Sequence, residues 1–152
     1  MLKSFDNYRH FAVLLVRAAL GAIFIAHGGQ KLFGWWGGPG IQGTIGFVGH
    51  FGLPFPTVLG WALMLAEFGG GIALVLGIMT RLFALGIAVD MAVAIVKVHW
   101  TQGFFLGATD GTGHPHAIGL EYPLFLLIVA LSFFLGGAGR YSIDGGFAVE
   151  RK

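Results

Sequence analysis

Two acids, Glu67 and Asp90, stand in the middle of stretches that otherwise suit hydrocarbon, LMLAEFGGGIALVL and LGIAVDMAVAIV. A charge at the centre of a membrane helix costs about 2.5–3.5 kcal/mol on insertion scales, so neither acid is expected to face lipid. Glu67 has Ala66, Gly69, Gly70 and Gly71 as neighbours, which leave room beside it. An acid next to space in a low-dielectric site can exchange protons, which makes Glu67 and Asp90 the candidate catalytic residues. His27 and Lys31 lie one helical turn apart beside Gly28 and Gly29, a pattern that could hold an anionic or quinone-like head group. Arg17, Lys97, His99 and Glu121 complete the candidate ligand-binding set.

The bases Arg17, Lys31 and Lys97 balance the acids Glu67, Asp90 and Glu121, which predicts a paired interior network. In it Arg17 reaches Glu67 or Asp90, and Lys97 lies one heptad above Asp90 on the same helix face. His99 points away from Asp90 if that helix is regular. The competing structural reading is that such pairs only fix helix register, and that the glycines only let helices approach closely.

The elements that must position these residues are membrane spans. The fold class expected is all-α, one domain over residues 1–152, a four-helix transmembrane bundle with spans at about 11–33, 57–79, 82–100 and 121–137. Each is near the ~20 residues that cross about 30 Å of hydrocarbon. In the first, Arg17, Phe24 and Lys31 share one stripe that only other spans can cover. Thr80-Arg81 is so short a connection that the second and third spans must be antiparallel neighbours. Residues 34–56 and 101–120 are Gly-rich loops on the outer face. The first contains no Lys, Arg, Asp or Glu, and its apolar IGFVGHFGLP portion is expected on or in the membrane surface. Thr57 is expected to cap the second span and Pro123 to sit in the first turn of the fourth. His114 and His116 are expected as solvated loop residues, not a metal site.

Composition agrees. The chain is 56% hydrophobic and 11% charged, against about 25% charged for an ordinary soluble domain. Its mean hydropathy is +0.81. The formal charge of +2 is carried by scattered bases, which excludes a nucleic-acid patch. Cysteine is absent, so the chain itself supplies no thiolate metal site, iron–sulfur cluster or dithiol relay. Nor is there a Walker loop, a dinucleotide fingerprint or a nucleophile elbow. The N-terminal apolar stretch is interrupted by Arg17 and reads as a retained span rather than a cleaved leader. Lys3, Arg9, Arg81, Arg140, Arg151 and Lys152 fall on one side of the predicted topology, which puts both termini in the cytoplasm.

Several stretches taken together resemble the DoxX family of small four-helix bacterial membrane proteins. They are R-x3-G-x2-F-x2-H-G-x2-K-L-F-G at residues 17–34, FVGHFGLP at 47–54, AEFGGGIALVLGIMTR at 66–81, the V-K-V-H stretch with its following G-F-F at 96–105, and GLEYPLFLL with GGAGRYSID at 119–144. The resemblance carries over Arg17, His27, Lys31, Glu67, His99 and Glu121 as motif positions. It implies a multi-pass protein of the bacterial inner membrane. Some members are linked to membrane oxidoreductase assemblies, including a thiosulfate–quinone system. The implied function is a quinone-facing subunit that works with a redox partner protein in the lipid bilayer. Two alternatives use the same charges: a small-molecule or proton transporter, which with four spans would need to be a homo-oligomer, and a non-catalytic assembly subunit.

Overall fold

The structure, a computed structural model, describes residues 6–107 and 119–149. Every regular element among them is helical. Helix α1 runs Asp6–Phe33, α2 Gly40–His50, α3 Pro56–Leu76 and α4 Thr80–Ala94, followed without a break by a π-helical turn, Ile95–His99. Then come α5, Glu121–Gly136, and α6, Ile143–Val149. Three helical stretches are long and apolar enough to cross a membrane: Tyr8–Phe33, Pro56–Leu76 and Thr80–His99. Helix α5 is as apolar but has 16 residues. That is about 24 Å of rise, somewhat less than the hydrocarbon thickness.

Glycine and proline set the helix ends. Gly34 and Gly77 take left-handed φ of 71° and 69°, a conformation that costs glycine nothing, and close α1 and α3. Ile78 N–H then donates to Ala73 O at 2.9 Å, satisfying a carbonyl at the end of α3. Pro56 opens α3, where its missing N–H is not needed. Thr57 does not cap that helix; the position before it is Phe55, held at φ 50° with no side-chain cap. Pro123 lies in the first turn of α5.

The segment expected as a Gly-rich loop is where the structure differs most. Residues 40–50 form α2 although Gly40, Gly43, Gly46 and Gly49 recur through it. Glycine costs about 1 kcal/mol relative to alanine in a helix, so packing must supply what propensity lacks. Thr44 and Val48, one turn apart, are buried against the bundle, and Thr44 Oγ1 donates back to Gly40 O at 2.8 Å. Ile45 rests on Gly60 of α3, where an added Cβ would meet Ile45 Cγ1 at 3.0 Å.

Helices α1 and α3 pack along their length, as do α4 and α5, and α3 joins the two pairs through α4. The core between them holds Leu20, Phe24, Leu74, Ile87, Leu126 and Phe133. The α1–α3 contact is backbone against backbone. A Cβ on Gly71 would lie 2.7 Å from both Gly21 O and Ile25 N, and one on Gly21 would lie 2.6 Å from Gly71 O. Close approach therefore explains Gly71, while Gly69 has nothing within 4 Å of its Cβ position. Gly71→Val is expected to destabilise the protein by about 1–3 kcal/mol through overpacking, whereas Gly69→Ala leaves thermal unfolding in detergent nearly unchanged. Equal melting of the two variants would refute the close contact.

Candidate functional site

Helices α1 and α3 are antiparallel, and the Gly21–Gly71 contact sets their register. Lys31 on α1 then comes level with Glu67 on α3, and Arg17 with the end of α3 at Gly77. Lys31 Nζ forms an ion pair with Glu67 Oε1. The side chains are 23% and 2% exposed, so this pair lies largely out of reach of solvent. Asp90, from α4, lies with its carboxyl against that of Glu67 and within the field of Lys31. Glu67 Oε2 and Asp90 Oδ2 are both buried and accept no hydrogen bond. One ammonium thus faces two carboxyls, and each carboxyl has a desolvated oxygen left over.

These groups form one wall of a cleft of about 730 Å³ that draws on α1, α2, α3, α4 and α5. The cleft is otherwise apolar, with Phe47 and Phe51 from α2 and its end, Leu63 from α3, and Leu85 and Val89 from α4. His27 stands in it, exposed to its space and within the fields of Glu67 and Lys31. Lys97 and His99 line it as well, Lys97 exposed and His99 buried. The π turn accounts for the place of His99. A π turn inserts extra residues into the α-helical ladder and turns the following side chains back relative to those before. The regular-helix expectation that His99 points away from Asp90 therefore does not hold: both border the same cleft. Tyr122 of α5 also lines it, and sequence reasoning passed it over. Its only signal was its place next to Glu121 at the start of an apolar segment. Among the described residues, no three His, Asp or Glu side chains converge as a metal ion would require. His114 and His116 lie outside the described residues.

Two of the expected site residues are elsewhere. Arg17 reaches neither acid of the cleft. Its side chain is buried, with Nη1 donating to Ala138 O at 2.7 Å and Nη2 to Tyr141 O at 2.6 Å. It holds the α5–α6 connection because antiparallel packing puts it beside Gly77, about four helical turns from Glu67's partner Lys31. Glu121 accepts from Leu106 N–H at 2.7 Å and so ties the segment before α5 to its first turn. Lys97 forms no ion pair with Asp90; in the cleft, the ion pair among described residues is Lys31–Glu67.

The junction around Arg17 accounts for the R-Y-S-I-D stretch at 140–144. Asp144 reaches back from α6 and caps α4: its Oδ1 accepts from Met79 N–H and its Oδ2 from Thr80 N–H, both at 2.9 Å. Its own N–H donates to Gly77 O at 2.9 Å. A carboxylate at a helix N-terminus is favoured by the helix dipole. Burial pushes the Asp144 carboxyl up, but the Thr80 and Met79 N–H groups and the Arg17 charge outweigh it and hold it below the ordinary value of 3.8. A depressed folded value means that the ionised form contributes stability above the unfolded carboxylate value. That contribution is lost as pH falls through the folded value. Asp144→Asn is expected to melt lower than the parent at neutral pH, and the gap between them is expected to close below about pH 4 in acid titrations of unfolding.

The DoxX family model matches residues 12–100, which include α1 from its second turn on, α2 to α4 and the π turn. Among curated relatives, "Putative oxidoreductase CatD" of Bacillus subtilis is 28% identical over 95% of this chain and 90% of its own length. "Uncharacterized membrane protein Rv3486" of Mycobacterium tuberculosis is 31% identical over 88% of this chain and 79% of its own. An uncharacterized protein of Haemophilus influenzae is 29% identical over 96% of this chain and 98% of its own. No solved structure matches. With the match spanning more than half of the residues and the cleft acids inside it, the chain is a membrane protein belonging to the DoxX family.

Proposed function

We propose that this protein is a multi-pass protein of the bacterial inner membrane that binds a quinone-type molecule in the cleft and supports membrane redox chemistry with a partner protein. In this reading α5 is the fourth span. Arg9, Arg81 and Arg140 are then gathered on the cytoplasmic side, and both termini lie there. The observation that carries the proposal is Glu67: 2% exposed, paired through Oε1, with Oε2 buried and unpartnered on the wall of a large apolar cleft. A buried acceptor without a partner costs about 1–3 kcal/mol, and it persists where something else engages it.

A quinone, when bound, supplies two-electron and two-proton chemistry at its ring oxygens. The chain's residues fit such a group. The apolar wall takes a ring and tail, His27 and Lys97 offer donors, and Glu67 Oε2 and Asp90 Oδ2 are the atoms that hold or release a proton. Lys31 fixes the Glu67 carboxylate through its other oxygen. The name of the Bacillus subtilis relative is in keeping with this assignment.

The test is direct. Protein purified in mild detergent is extracted with organic solvent and the extract chromatographed for quinones. Stoichiometric quinone-type molecule, counted as quinone plus its reduced form, is expected with the parent, and at least tenfold less with Glu67→Gln, because the hydroxyl of the reduced form loses its hydrogen bond to a charged acceptor. Parent protein that carries no quinone and takes none up on titration would end the proposal.

A further inference from the structure

The same wall carries a statement about which form of the ligand it takes; the statement rests on the reading just given. We infer that Glu67 and Asp90 select a head group that donates hydrogen bonds, the hydroxyl-bearing quinol over the quinone, and that they exclude anionic lipid head groups.

An ionised carboxyl only accepts hydrogen bonds. The one donor committed to this wall, Lys31 Nζ, is engaged by Glu67 Oε1, and Oε2 and Asp90 Oδ2 remain open. A quinone carbonyl is also only an acceptor. Set against these oxygens it adds lone pairs where lone pairs already lack partners. A quinol hydroxyl brings the missing proton. A single proton held between the two acids does not reverse this, because both carboxyls keep lone pairs in excess of the donors at hand.

Charge gives the second half of the inference. The charged and titratable groups that share the cleft with the pair are Lys31 and His27 from α1, Lys97 and His99 at the rim, and the uncharged Tyr122 hydroxyl from α5. Lys31 is neutralised by Glu67, which leaves Asp90 uncompensated at the wall or, with one proton shared by the two acids, a three-group cluster of zero net charge. Neither state attracts an anion. Lys97 is exposed and forms no ion pair with either acid.

The experiment uses the full chain in nanodiscs of phosphatidylcholine. Binding of a decyl-tailed benzoquinone and of its quinol, kept reduced under anaerobic conditions, is measured by titration. The quinol is expected to bind about tenfold or more tightly than the quinone, the difference made by one hydrogen bond to a charged acceptor. Asp90→Asn, which replaces one of the two acceptor oxygens by an NH2 donor, is expected to bring the ratio toward one while binding persists. Replacing half the lipid by phosphatidylglycerol is expected to leave the quinol affinity within twofold. Equal or reversed preference overturns the selection and leaves the quinone-binding reading intact. Failure of both forms to bind overturns the two together. Competition by phosphatidylglycerol overturns the exclusion of anions.

Discussion

Lys31→Met is expected to cost about 3–5 kcal/mol of stability, the range found when one partner of a buried ion pair is removed. The substitution leaves Glu67 and Asp90 facing each other with no cation between them. Glu67→Leu is expected to cost less, because Lys31 already lies in the field of Asp90 and can turn to it. The double variant Lys31→Met with Glu67→Leu is expected to recover much of the loss. Replacing a buried pair by apolar residues is often neutral, whereas breaking it strands a charge. Unfolding of the four proteins in one detergent completes the cycle. Additive losses would show that Lys31 and Glu67 do not act as a pair.

Arg17→Leu is the second large effect. The Arg17 side chain is 1% exposed and supplies two charged hydrogen bonds to main-chain carbonyls, at Ala138 and Tyr141. Bonds of that kind are worth about 1.5–3 kcal/mol each, and the carbonyl of buried Ala138 would be left without its donor. A total near 3 kcal/mol is expected, together with loosening of α6. Arg17→Lys is not expected to rescue it, since one ammonium lacks the planar fork that reaches both carbonyls. Hydrogen exchange tests the local part. The Asp144 amide, bonded to Gly77 O, should lose protection in Arg17→Leu while amides in α3 keep theirs. Unchanged exchange at Asp144 would mean that the guanidinium does not hold the junction.

How much of this could be read in the chain depends on the kind of signal. Long apolar stretches bounded by the Gly-rich segment 34–56 and by Thr80-Arg81 locate the helices to within about five residues, because span length is a local property, although the span expected to reach Met79 stops at Leu76, before Gly77. The Gly-rich stretch that became α2 was not legible, since its helix exists through burial of Thr44 and Val48 against other elements. The meeting of Lys31, Glu67 and Asp90 near one cleft was only half legible. Charge balance predicted pairing, but the choice of Lys31 over Arg17 depends on how far α1 slides along α3. That offset is fixed by Gly21 against Gly71, a contact between distant parts of the chain. The direction of His99 was misjudged for another reason. A helical wheel presumes 3.6 residues per turn, and Ile95–His99 does not keep it.

That π turn also makes the rim separable from the rest. A π turn holds about one residue more than an α turn, so deleting a single residue within Ile95–His99 would let the ladder close as an ordinary α-helix and leave the positions beyond it close to their present phase. The core of α4, from Ala84 to Met91, precedes the change and would keep its seat against α5. Loss of one codon there would therefore reset only Lys97, His99 and their immediate neighbours, in a molecule whose scaffold still assembles.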